Sequence, residues 1–335
     1  FHASPLHNES NVSDRWQKAA DTYKKIIDEG SFTLFPNYYE LFMEGTNYNS
    51  EVIWQTPSNP SLVGMQNRYS YMVASQWLET NSFVGFQLST PTQNLVDEYS
   101  MANGLPISDP NSGYNSQNPY VDREERFYQT ILYDGAPFAG SRLVMRQGVG
   151  SNNQTDFSGN NAGTLTGYNW KKMINPKYYI TGNAENTAGW IWYRYAEILL
   201  GYAEAKTNLT SDGAIVTDQS IYDAINKVRQ RGSIPDITIG LTKEELMKII
   251  MKERRVEFAL EEKRWYDLLR LKLAMDKLNG PVMAMLIEKE GNDWVYKIVP
   301  ANTESRIFHE RNYFLPIPQS AIDRNPKLEG HQNLG

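Results

Sequence analysis

Cysteine is absent from all 335 residues, which removes disulfides, thiolate metal ligands and cysteine nucleophiles at once and leaves the redox compartment open. Histidine is scarce. His2, His7, His309 and His331 are scattered, with neither an HExxH pair nor triad spacing, so surface or loop roles are expected for them. An excess of positive charge is missing too: 33 Lys and Arg face 39 Asp and Glu, for a formal net charge of −6. The basic residues are dispersed along the chain, so nucleic acid is not expected as a partner. No apolar run reaches the roughly 18 residues of a membrane-spanning helix. The glycine-rich GVGSNN at 148–153 lacks the lysine and helix start of a phosphate loop. Asp109, Asn111 and Asn115 lack the closing Glu of a calcium loop. No metal or other cofactor is expected.

What the chain does have is aromatic surface: 21 Tyr, 8 Trp and 12 Phe, within an apolar content of 40% that is ample for a large core. Aromatic side chains bury large areas and still offer a polar tip, so this excess suits either an irregular core or a recognition surface. The opening FHASPLHNES has neither the basic start nor the apolar run of a signal peptide. It reads like the middle of a segment, and an upstream part of the natural protein, with any targeting or anchoring signal, is expected to be missing.

Periodicity divides the chain. Residues 13–29, SDRWQKAADTYKKIIDE, carry apolar residues at helical spacing and stop at Gly30. YYELF at 38–42 suits a short second helix, and SEVIWQT at 50–56 has the composition of a strand. From there to about residue 188, Gly, Asn, Ser, Thr, Pro and Tyr dominate, and long surface loops are expected. Residues 189–208 are apolar on nearly every side and predict a helix buried between neighbours. An amphipathic helix closed by Gly232 follows over 219–232, and Thr242 and Glu245 are spaced as the capping box of a third. The tail, with Pro316, Pro318 and Pro326, predicts an extended wrap over the surface.

Met251–Gly280 asks for a separate account, because its first fourteen residues carry nine formal charges and are followed by Trp265 and Tyr266. Arg254 with Glu257, Glu261 with Arg264, and Asp267 with Arg270 lie three apart, and Glu257 and Glu261 four apart, on adjacent turns. Exposed pairs of this kind contribute only about 0.3–0.5 kcal/mol each. Packed against the helix at 189–208, every carboxylate would need a partner, because an uncompensated buried charge costs several kcal/mol. Trp265 favours the packed arrangement.

MKERRVEFALEEKRWYDLLR, residues 251–270, resembles the C-terminal signature of the SusD/RagB family, the surface glycan-binding lipoproteins of Bacteroidetes. Other segments agree in order: PTQNLVDEYSMANGLPI at 91–107, ERFYQTILYDGAPF at 125–138, YRYAEILLGYAEAK at 193–206, AINKVRQRG at 224–232 and NYFLPIPQSAIDRNPKL at 312–328. Two departures stand out: Glu262 occupies a position where the family commonly has a small residue, and the family's N-terminal region, with its lipid-bearing cysteine, has no counterpart here. The resemblance implies a mostly α fold in which tetratricopeptide-like helical hairpins support a large irregular, loop-rich face. It implies one SusD-like domain over 1–335, with repeat-like helices at 1–50, the irregular ligand face at 51–188, a helical signature region at 189–280 and the C-terminal wrap at 281–335. It implies non-catalytic binding of oligosaccharide or polysaccharide for nutrient import, delivery to a SusC-like TonB-dependent transporter, and an outer-membrane, cell-surface location through a lipid anchor on the missing part.

A sugar ring presents one apolar face and a rim of hydroxyls, so its site needs an aromatic plane edged with amides, carboxylates or arginine. The densest candidate is NRYSYMVASQWLETN at 67–81, with Tyr69, Tyr71 and Trp77 as the platform and Asn67, Arg68, Gln76 and Asn81 reaching hydroxyls. A core role for Tyr71 and Trp77 is the competing reading. Trp54, Trp192 and Trp265 are expected in the core, each among apolar neighbours in a strand or helix. Two rival functions are a carbohydrate-active hydrolase and a helical scaffold for a peptide or protein. The charged helix is a poor hydrolase centre, because neighbouring carboxylates on one helix cannot flank a scissile bond from two sides.

Overall fold

The computed structural model describes residues 1–10, 12–57, 89–149, 154–157, 163–177, 188–301 and 305–331. Helix α1, Ser13–Glu29, ends where Gly30 turns left-handed at φ 68°, a conformation that favours glycine. Its Trp16 and Ala20 pack with Ala3 and with Ala205 of helix α2, Tyr195–Thr207. The approach is close enough that a Cβ on Gly201 would come within 2.6 Å of the Tyr23 ring.

α2 is shorter than its apolar run predicts. Residues 190–194, WIWYR, form strand β2, Trp190–Arg194, antiparallel to strand β1, Val52–Thr56. β-Branched and aromatic side chains favour the pleated surface, and the Tyr195 amide donating to the Glu51 carbonyl at 2.9 Å marks where ladder gives way to helix. Helix α3, Gln219–Arg231, starts at Asp218, whose carboxylate accepts from the Ser220 amide at 3.0 Å. Gly232 closes it with an ordinary φ of −75°; glycine is needed there because a Cβ would lie 2.7 Å from Arg126 Nε. Helix α4, Lys243–Glu257, begins with the expected Thr242–Glu245 capping box. α2, α3 and α4 bury Leu199, Ile225, Val228, Leu246 and Ile250 in one core. The fold is mostly helical with small two-stranded sheets.

Between α4 and helix α5, Lys263–Arg270, the chain turns through left-handed Leu260 (φ 65°) and Glu262 (φ 59°). The helix break therefore falls at Glu262 without the small residue that would adopt this conformation at least cost. The C-terminal part differs from an extended wrap: strands β3, Met283–Glu290, and β4, Asp293–Pro300, form a hairpin. Gln319–Arg324 is helical, since Pro318 precedes the helix and leaves its hydrogen bonds intact. The irregular half has its own core of Tyr99, Tyr120, Phe127, Tyr168 and Trp170, which absorbs much of the aromatic excess.

The charged stretch joins these regions. Of the pairings expected within one helix, only Asp267 with Arg270 forms, at 2.7 Å. Glu257 and Glu261 instead point into the interior and find partners far along the chain. Arg194 donates to Glu51 at 2.7 Å, Glu257 at 2.6 Å and Glu261 at 2.7 Å. Arg126 reaches Glu124 at 3.0 Å, Glu253 at 2.9 Å and Glu257 at 3.2 Å, and Arg231 bridges Glu51 and Glu257. Lys172 donates to Glu261 at 2.6 Å and to the Tyr38 hydroxyl at 2.7 Å. Burial alone would raise the carboxyl of Glu257, but Arg231, Arg194 and Arg126 outweigh it and hold it well below the carboxylate range. Burial pulls the Lys172 ammonium down to about 8 despite Glu261. The stretch is thus a buried ionic latch between helices, loops and strand β2.

Candidate ligand-binding surface

The segment 67–81, with Asn67, Arg68, Tyr69, Tyr71, Gln76, Trp77 and Asn81, lies outside the described residues. The largest exposed aromatic group among the described residues stands on the β1–β2 ladder. Trp54 is 57% exposed, Trp192 41% and Tyr193 47%, which corrects the expectation that Trp54 and Trp192 belong to the core. The reason is local. In a two-stranded ladder one face is free unless another layer covers it, and register shifts on both sides of Trp54 break the strict in–out alternation. Consecutive Trp192 and Tyr193 consequently both face outward, while Ile191 and Arg194 are buried.

Trp54 and Tyr193 are register partners whose rings lie 6.0 Å apart at 12°, nearly parallel. Trp192 lies 6.0 Å from Trp54 at 31°. Its indole donates to Thr56 Oγ1 at 2.7 Å, which fixes the ring. Lys263, at the start of α5, donates to the Trp192 carbonyl at 2.7 Å, pairs with Glu197 at 2.9 Å and lies 4.5 Å from the Tyr193 ring centre. The result is a held aromatic plane with polar groups at its edge.

This plane borders a cleft of about 640 Å³ that runs past Tyr266 and Glu262 to Trp16, Tyr23 and Gly201. Of the acidic residues lining it, Glu197, Glu204, Glu261 and Asp267 are each in ion pairs. A second cleft of about 470 Å³ shares Glu262 and Tyr266 with the first. Arg255, Arg264 and Trp265 line it, with Trp170 beneath. Trp265 is 49% exposed, with one edge against Phe308, so it too is a surface residue and not a core one. Trp170 is buried, and Trp294 carries the Arg146 guanidinium 5.1 Å above its ring. Among the described residues no group of acidic or histidine side chains is arranged to hold a metal ion, and no helix is long and apolar enough to cross a membrane.

Helical hairpins locked by buried charges, carrying an irregular half and an exposed aromatic plane, define a mostly helical scaffold of the tetratricopeptide-like class. Within that class the assignment is specific: the SusD family model matches residues 50–335, and the chain belongs to the SusD family. It is 34% identical over 165 residues to SusD-like protein P2 of Formosa agariphila, a match covering 45% of this chain and 28% of that one. With SusD-like protein P25 of the same organism it shares 24% over 323 residues, 93% of this chain and 54% of the other. The structure resembles a SusD-like protein of Bacteroides fragilis with a TM-score of 0.76 and 25% identity, over 95% of this chain and 62% of that one. A SusD-like carbohydrate binding protein from the same species gives 0.74 and 27%, over 94% and 61%. The chain therefore spans little more than half the length of its full-range relatives.

Proposed function

We propose that this chain binds oligosaccharide or polysaccharide at the cell surface without cleaving it and passes it to a SusC-like TonB-dependent transporter in the outer membrane. One observation carries the reading: a SusD-family chain holds Trp54 and Tyr193 nearly parallel and exposed beside a cleft. Parallel rings at this spacing suit the apolar faces of sugar units, and Lys263 and Glu262 supply polar partners at the rim. The carbohydrate-binding B. fragilis relative supports the ligand class. Glu197, Glu204, Glu261 and Asp267 of the cleft are ion-paired and leave Glu262 alone among its described acidic residues, which supports binding without hydrolysis, since a glycosidase needs two carboxyl groups free to act as acid and as base or nucleophile. Segment 67–81, with Trp77 at its centre, is proposed as a further contributor. Affinity electrophoresis against a glycan panel, with Trp54→Ala and Trp77→Ala beside the unaltered chain, tests the reading. Retardation lost in either variant, with no reducing ends released, supports it; release of reducing ends supports the hydrolase.

A second reading, a scaffold for a peptide or protein, rests on the inner part of the larger cleft, which Phe1, Trp16, Ala19 and Tyr23 line. An apolar lining of this kind suits the apolar face of an amphipathic peptide helix. A chain that ignores every glycan and captures a helical peptide in this groove would establish it.

A further inference from the structure

We propose that the smaller cleft, between Arg255 and Arg264, receives the carboxylate or sulfate group of an acidic saccharide; this rests on the glycan-binding reading and names the substrate class. The other buried arginines have strong partners: Arg126, Arg194, Arg231, Arg254 and Arg270 each hold a carboxylate, although Nε of Arg126 and of Arg231 is itself unpartnered, and Arg123 donates to three backbone carbonyls. Arg264 is the contrast. Its Nε is buried with no hydrogen-bond partner, and no ion pair joins it to any carboxylate among the described residues. Arg255 beside it is only partly satisfied, by Glu98 at 3.3 Å and the Asn94 carbonyl at 3.1 Å. Burial first, and the like charge of Arg255 second, disfavour the charged form of Arg264.

Two neighbouring guanidiniums on one partly dry cleft repel, and an anionic oxygen pair placed between them removes that cost while filling both donor forks. Trp265 and Tyr266 stand exposed at the same cleft, so an anion there would have an aromatic surface beside it for the ring that bears it. Glu262 also lines the cleft, at its exposed rim shared with the larger one. Tyr266 and Glu262 line both clefts, so the proposed acidic subsite neighbours the cleft that the Trp54–Tyr193 plane borders. A net charge of −6 gives no general attraction for polyanions, so a preference for acidic glycans would have to come from a local site of this kind.

The test is calorimetric titration of the chain with three oligosaccharides of equal length: oligogalacturonate, a sulfated galactan fragment and a neutral cello-oligosaccharide. At least one acidic ligand is expected to bind about tenfold more tightly than the neutral one, the scale of a charge-assisted hydrogen bond. Arg264→Gln should abolish that preference, keep neutral binding and leave the melting temperature unchanged or higher; Arg264→Lys, which keeps the charge but loses the fork, should fall between. Equal binding of neutral and acidic ligands, or an acidic preference that survives Arg264→Gln, overturns the inference while leaving glycan binding intact. Binding of none of the three overturns both readings. Capture of polyglutamate instead, lost in Arg264→Gln, assigns the cleft to an acidic protein and also overturns it.

Discussion

Arg194 and Glu257 meet at 2.6 Å with neither side chain more than 1% exposed, tying the end of the aromatic strand to the last turn of α4. The Arg194 guanidinium also reaches Glu51 on the chain entering β1, and Glu261 just before α5. One side chain thus fixes the ladder that carries Trp54 and Tyr193 against the helices that support it.

Glu257→Ala leaves Arg194, Arg126 and Arg231 facing one another without their shared counter-ion. Removing one partner from a buried ion pair costs about 3–5 kcal/mol, and the loss should appear in the denaturant midpoint. Arg194→Met, which leaves Glu51 and Glu261 with fewer partners, should lose a comparable amount. A surface-like cost below about 1 kcal/mol for either would mean that water reaches the latch.

The same latch sets the pH response. Glu257, Glu261 and Asp267 have carboxyls held below their ordinary values of 4.5, 4.5 and 3.8, against the burial that would raise them, by the arginines and, for Glu261, Lys172. Their stabilisation is complete above those ordinary values and disappears as pH falls through the lowered ones, so the melting temperature should fall steeply below about pH 4.5. Lys172 acts in the same direction at alkaline pH, as a cost that is relieved when the ammonium loses its proton. Its folded value near 8 lies under the ordinary 10.5, so the unfolded chain binds the extra proton and this group's contribution to stability rises between those limits. Lys172→Met should remove that alkaline component in a melting series.

Gly201→Ala tests the contact between α1 and α2. A methyl 2.6 Å from the Tyr23 ring forces the ring or one of the helices to move, and overpacking of this kind costs about 1–3 kcal/mol. Pairing it with Tyr23→Leu should recover part of the loss.

Two tryptophans separate surface from core. Trp170, 6% exposed within the irregular core, should cost about 3–5 kcal/mol on truncation to alanine. Trp54→Ala should shift the melting temperature by no more than a few degrees, because its ring is mostly in water.

α1, the capping box of α4 and the extent of α3 are legible in the sequence because each is written in local spacing. Residues 190–194 are not: a fully apolar run has no period that tells a strand from a buried helix. Charge spacing points to a packed latch, but its partners lie tens to hundreds of residues away, and only the fold selects Arg194 and Arg126 over near neighbours. The exposure of Trp54 and Trp192 is hidden for a related reason, since apolar neighbours in a strand signal a core only when both faces of the ladder are covered. WIWY gave the available clue: four large side chains in succession cannot all turn inward. The places of Tyr266 and Arg264 on the clefts are not written in local spacing, because they depend on where Glu262 turns the chain.

The most direct measurement of the central claim is the affinity of Trp54→Ala, Tyr193→Ala and the double variant for the best-bound glycan of the panel, alongside product analysis of that glycan. Each single variant is expected to weaken binding by about tenfold, the scale of one lost aromatic stacking contact, with the glycan recovered at its original length. Unaltered affinity in the double variant, or a shortened glycan, would contradict the account.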